Sequence, residues 1–227
     1  MNAPILSSWK RARTVVVAVA ALVMTVVFGL PGPAPGARAQ VPPSVRSICF
    51  PVVEPVHFVD SFGAPRSGGR RHEGTDLMGE KGSRLVSPVD GVIVDLRGPG
   101  EAYSDHSLRI LDDDGWFYAF LHMNDDTPGT DDGAAGFEQV FAPGLVEGVR
   151  VRAGQFVGFM GDSGNAEGSG PHLHFEIRQP AADLWASVAI NSYPALIAAT
   201  RCADPTAVPP GPPVVRATIP TAAPSAR

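Results

Sequence analysis

From His172 to Ile177 polar and apolar residues alternate without a break, with His172, His174 and Glu176 on one side of a period-two pattern and Leu173, Phe175 and Ile177 on the other. Successive side chains of a β-strand point to opposite faces, so this run predicts a half-buried strand with imidazoles on one face and apolar groups on the other. Four further runs rich in branched and aromatic residues, at 91–96, 107–111, 116–121 and 155–160, predict strands separated by clusters of Gly, Pro and Asp. Asp112-Asp113-Asp114-Gly115 reads as a hairpin turn. Beyond the N-terminal forty residues no stretch sustains a long apolar period of 3.6, and only 184–199 predicts a short helix, interrupted at Pro194. The expected fold class is all-β, a mostly antiparallel sheet or sandwich with little helix.

The same pattern divides the chain. Lys10, Arg11 and Arg13 precede an apolar run from Val15 to Leu30, and Ala37-Arg38-Ala39 has the small-residue form of a cleavage site, so residues 1–39 read as an export signal peptide removed after Ala39. An uncleaved anchor is the competing reading, because the run approaches the length that spans a bilayer; the Pro/Gly-rich stretch ahead of the cleavage site favours removal. Residues 40–57 follow as an extended lead, 58–202 as the folded domain, and 203–227 as a Pro/Ala-rich tail that cannot bury a core and is expected to be disordered. A secreted or cell-envelope protein is expected, with no stable membrane insertion after signal removal. Oligomeric state is not legible.

Charge and cysteine content narrow this further. Residues 1–39 hold four of the 18 basic residues and no acid, so the remainder carries 14 basic against 23 acidic residues, a formal −9, which argues against a nucleic-acid partner. The two cysteines, Cys49 and Cys202, border the segment that holds every motif. A disulfide between them is expected in an oxidising compartment, and without a Cys-x-x-Cys spacing they cannot begin a structural zinc cluster.

The candidate chemistry lies in the histidines. A catalytic zinc site needs three protein ligands and a fourth position left to water, and His72, Asp76 and His174 supply that set for one Zn2+ per chain. His72-Glu73 does not begin a helical His-Glu-x-x-His motif, because Gly74 and Thr75 disfavour a helix and position 76 is Asp. His172 shares the strand face of His174 and must lie near the metal; His122 ends another predicted strand. Those two suit the proton acceptor and the oxyanion stabiliser, and Glu176 suits an acceptor that orients a ligand imidazole. His57 and His106 lack any motif neighbourhood and are expected outside the site. Trp116, Tyr118, Phe120 and Met160 are expected in the core rather than in a pocket wall. Ser163 lies in Gly161-Asp162-Ser163-Gly164, which reads as a turn and not as a nucleophile elbow.

In order and spacing these residues resemble the lysostaphin-type zinc metalloendopeptidases of bacterial cell walls, a family of LytM-like proteins with a duplicated hybrid motif fold. Their pattern is a His-x-x-x-Asp element, a Tyr-x-x-x-His strand end and a closing His-x-His, matched here by His72 to Asp76, Tyr118 to His122, and Gly170-Pro171-His172-Leu173-His174-Phe175-Glu176. The resemblance runs from Ser61 to Arg178 and includes Ser61-Phe62-Gly63 with Arg66. It implies zinc on His72, Asp76 and His174, acid–base and electrophilic roles for His122 and His172 without deciding between them, and a peptidoglycan peptide bond as substrate in the bacterial envelope.

Two rivals belong beside it. A non-catalytic wall-binding or hydrolase-activating domain of the same fold usually lacks ligands, and none is missing here. A biotinyl or lipoyl carrier is suggested by the half-repeats at 87–93 and 149–155, but such carriers present a lysine on a hairpin turn, and Lys81, the one lysine after residue 39, lies outside those repeats. The chain departs from the family in a long acidic stretch after His122, residues 124–144. It reads as a lid for an amine-bearing cross-link, a calcium-supported loop or a solvated loop.

Overall fold

The computed structural model describes residues 45–100 and 105–202, so the export signal and the C-terminal tail lie outside the described residues. Among the described residues, nine short strands carry the fold: β1 (Thr75–Met78), β2 (Arg84–Val86), β3 (Gly91–Arg97), β4 (Ser107–Asp112), β5 (Phe117–Leu121), β6 (Arg150–Val151), β7 (Phe156–Phe159), β8 (His172–Arg178) and β9 (Ala189–Ile190). Their pairings are all antiparallel. The larger sheet runs β1-β8-β5-β4-β3-β6, with β9 also against β8, and β2 pairs with β7 in a second sheet. The all-β, mostly antiparallel expectation is met.

Alternation in β8 produces the expected two faces. Leu173, Phe175 and Ile177 are fully buried, and Phe175 meets Phe120 of β5 edge-on at 5.5 Å. The β4–β5 hairpin closes where Gly115 takes φ +85°, a left-handed conformation that glycine adopts without steric cost, and Asp112 Oδ1 accepts from the amides of Asp114 and Trp116. Ile48, Phe50 and Val52 of the lead segment are buried in the same core as Leu77, Ile110 and Phe120. His57 pairs with Met78 of β1 through two hydrogen bonds of 2.9 Å. Among the described residues no helix is long and apolar enough to cross a membrane.

The segment after β8 differs from the expected helix. Leu184–Ala186 forms a single 3-10 turn, Ala189–Ile190 becomes β9, and a short helix, α1, spans Tyr193–Ala198. Pro194 does not interrupt this helix but opens it, because a first-turn residue needs no intrahelical N–H bond and a proline there removes nothing.

Cys49 and Cys202 form a disulfide with their Cα atoms 5.4 Å apart, closing a separation of 153 residues. Because so long a loop restricts the unfolded chain strongly, a Cys49→Ser/Cys202→Ser variant is expected to lose about 2–5 kcal/mol of unfolding free energy. Denaturant titration beside the parent protein reads this, and coincident midpoints would show that the crosslink constrains nothing.

Candidate metal centre and cleft

Strand pairing brings the three expected ligands together. Asp76 of β1 lies directly opposite His174 of β8, which on its other side pairs with Leu121 of β5. His72 precedes β1 and is held by a hairpin in which its amide donates to Ala64 and its carbonyl accepts from Gly63. His72 Nε2 lies 2.9 Å from both Asp76 Oδ1 and His174 Nδ1, and His174 Nδ1 lies 2.8 Å from Asp76 Oδ1.

The outward nitrogens say which atoms face this triangle. His72 Nδ1 lies 3.0 Å from the Ser61 carbonyl and His174 Nε2 lies 3.0 Å from Glu176 Oε1, so each ring can donate outward and present a lone pair inward. Two inward lone pairs and a carboxylate oxygen repel one another unless a proton or a cation sits among them. Tetrahedral zinc with bonds near 2.0 Å requires ligand separations of about 3.3 Å, close to those present, and two imidazoles with one carboxylate are suitable donors. The residues therefore fit the ion.

Electrostatics follow from the same contacts. Burial pushes His72 down. Burial would raise the Asp76 carboxyl, but its hydrogen bond to His174 and the charges of the neighbouring imidazoles outweigh this and hold it below the usual carboxylate range. Burial would lower His174, yet Asp76 and Glu176 override it and push the ring up to about 9. Arg66 Nη2 donates to Asp76 Oδ2 at 2.6 Å, leaving Oδ1 for the triangle, and Arg178 ties Glu176 to Glu73 at 2.7 and 2.8 Å.

The other two histidines close the arrangement. His122 follows β5 with φ +60°, the one non-glycine residue in the left-handed region among the described residues, and such strain is held where the surroundings over-determine it. Its amide donates to Asp105 Oδ1, and its Nδ1 donates to the Ser163 carbonyl at 2.9 Å. His172 Nδ1 donates to the Gly170 carbonyl at 2.9 Å, and burial lowers its pKa. Both rings therefore keep Nε2 clear of these backbone acceptors, and their centroids lie 5.0 Å apart. All four histidines, Asp76 and Glu176 line one cavity of about 530 Å³.

His57 and His106 lie outside that cavity; His106 is buried with its Nδ1 2.9 Å from the Asn124 carbonyl. Tyr118, Phe120 and Met160 are core. No residue of 124–144 lines the cavity; Asp126 and Asp131 of that stretch, with Asp162, meet the Lys81 ammonium instead. The sequence reading missed the supports. The carbonyls of Ser61 and Ser163 leave no mark in a sequence, Arg66 was visible only as part of a motif, and Gly74 was read only as a helix breaker. A Cβ on Gly74 would stand 2.5 Å from the Phe175 carbonyl oxygen and 2.9 Å from His174 Nε2.

A cleft on an antiparallel sheet whose His72, Asp76 and His174 could hold a metal ion, flanked by two further imidazoles, is similar to the sites that hydrolytic metalloenzymes use. Residues 135–189 match the family model described as Peptidase family M23. No curated protein matches the chain. Among solved structures, the chain is similar to a candidate glycyl-glycine endopeptidase, lytM, from Ruminococcus gnavus, at 26% identity and a TM-score of 0.50, covering 68% of this chain and 62% of that one. It is also similar to a zinc containing peptidase from Vibrio cholerae, at 24% identity and 0.44 over 58% of this chain and 36% of that one. The catalytic domain of lysostaphin from Staphylococcus simulans follows at 21% and 0.46, over 63% and 92%. At TM-scores below 0.5 these two add nothing to the first. The family model and the first structure show the family resemblance drawn from the sequence motifs.

Two outcomes are expected of this geometry. Gly74→Ala forces β1 and β8 apart at His174 and should weaken zinc binding at least tenfold, by roughly the effect of removing a ligand's hydrogen-bond partner, as read by titration against a competing chelator. Metal loading should also be pH-dependent. Below about 9 the metal-free His174 holds a second proton that a cation must displace, so affinity should rise about tenfold per pH unit between 6 and 8. Calorimetry in buffers of different ionisation enthalpy counts the proton released; none released at pH 7 would contradict this assignment.

Proposed function

We propose that the protein is an exported, zinc-dependent metalloendopeptidase that hydrolyses peptide bonds in peptidoglycan stem peptides or cross-bridges. The observation that carries this reading is the convergence of His72 Nε2, Asp76 Oδ1 and His174 Nδ1 within 2.9 Å of one another, in a cavity shared with two more imidazoles. The M23 match and the likeness to the Ruminococcus gnavus structure support the peptidase class. Export rests on the signal-like pattern of residues 1–39, and the disulfide suits an oxidising compartment.

In this mechanism His72, Asp76 and His174 hold the ion, which when bound supplies Lewis acidity to the scissile carbonyl and acidifies a water. Arg66 and Glu176 keep Asp76 and His174 aimed, and Ser61 keeps His72 aimed. His172, kept neutral by burial and with Nδ1 committed to Gly170, accepts the proton of the attacking water at Nε2 and passes it to the leaving amine. His122 presents Nε2 to the developing oxyanion and stabilises it by donating a hydrogen bond there; Asp105 Oδ1 lies 3.3 Å from its Nδ1. The buried Leu173, Phe175 and Ile177 face of β8 anchors the strand that carries His172 and His174.

Purified cell wall incubated with the protein should release new free amino groups, one for each peptide bond cut, as read by amine titration. Chelator should stop the release, zinc should restore it, and His174→Ala should lower the rate at least about a hundredfold. Wall left intact in every arm would instead favour a binding or hydrolase-activating domain, and digestion indifferent to chelator would remove zinc from the chemistry.

A further inference from the structure

The hairpin that delivers His72 also carries three arginines, Arg66, Arg70 and Arg71, and all three line the cavity. Its backbone is paired along its length: Gly63 with His72, His72 with Ala64, and Arg66 with Arg70 at 2.9 Å, with Gly68 and Gly69 in left-handed conformations at the tip. The arginines therefore stand on an ordered element and not on a free loop. Their charges are not equally engaged. Arg66 is paired with Asp76, whereas among the described residues Arg70 reaches only the Ser67 carbonyl and hydroxyl at 3.3 and 3.5 Å, and Arg71 only the Gly63 carbonyl at 2.9 Å.

Among the described residues, each acid that lines the cavity already has a cationic partner. Asp76 is held by Arg66 and the imidazoles, and Glu73 and Glu176 are both held by Arg178. The lining also includes Leu121, Asn165, Ala166 and Ser169, none of them charged. Two guanidiniums thus reach the mouth of the cleft with donors free, one residue and two residues before the first metal-binding histidine. A guanidinium recognises a carboxylate through paired, charge-assisted hydrogen bonds.

We infer that Arg70 and Arg71 form a specificity subsite for a free carboxylate on the substrate peptide, within one or two residues of the scissile bond, and that the cleft prefers such a peptide to an uncharged one. This rests on the peptidase reading above and adds to it the charge of the substrate. The subsite acts in binding, so it should appear in KM and leave kcat nearly alone.

The test uses native peptidoglycan and the same material with its carboxylates converted to primary amides by carbodiimide and ammonium. Digestion of native wall should be about tenfold more efficient at sub-saturating substrate, an advantage that shrinks as salt is raised. Arg70→Gln/Arg71→Gln should erase the difference between the two walls, and Arg70→Lys/Arg71→Lys should restore part of it, an outcome that a merely structural role would not produce. Equal digestion of both walls by the parent protein overturns the carboxylate subsite and leaves the peptidase intact. Digestion of neither removes the peptidase reading, and the subsite falls with it.

Discussion

The pairing of β1 with β8 governs everything at the cleft. Asp76 and His174 sit opposite each other only in the register observed, and a slip of one residue would turn His174 into the core and Phe175 into the cleft. What holds the register lies on the other face. Leu77, Leu173, Phe175 and Ile177 are fully buried, and each contributes roughly 1.5–3 kcal/mol by leaving water. The geometry of the polar site is thus set by apolar burial behind it, and Gly74 permits the close approach that the register requires.

On the polar face no group stands alone. Ser61, His72, Asp76, His174, Glu176, Arg178 and Glu73 form one connected series of contacts, with Arg66 joining at Asp76. In a buried setting such a network is costly if half satisfied and specific if complete. Here each imidazole spends one nitrogen on a fixed acceptor and keeps the other for chemistry. His122 and His172 follow the same rule with the Ser163 and Gly170 carbonyls. The left-handed backbone of His122 is what turns its ring back toward His172 at the end of β5.

Most of the long strands were legible, 172–177 from strict alternation and 91–96, 107–111, 116–121 and 155–160 from runs of branched and aromatic residues; all fall on observed strands. The two-residue β6 and β9 and the four-residue β1 were not, since so few residues carry no period and are strands only because a partner pairs with them. Pro194 was misread because a proline that breaks a helix and one that begins it look alike until the helix start is known. At the site, the side chains that converge were legible from spacing and strand phase. Their carbonyl partners were not, since any residue offers a backbone oxygen. The role of Lys81 was hidden too, because its three carboxylates come from positions 126, 131 and 162 and meet only in the folded chain.

The crosslink between positions 49 and 202 has a topological consequence. With its two ends joined, the intervening polypeptide is a covalent ring. A protease acting once on an exposed segment, such as the acidic stretch around residues 127–134, opens that ring without yielding two molecules. Both fragments stay tethered to one sheet, with the cleft's histidines still borne on strands whose apolar faces remain interlocked. Dissociation then requires a second event, either another cut or reduction.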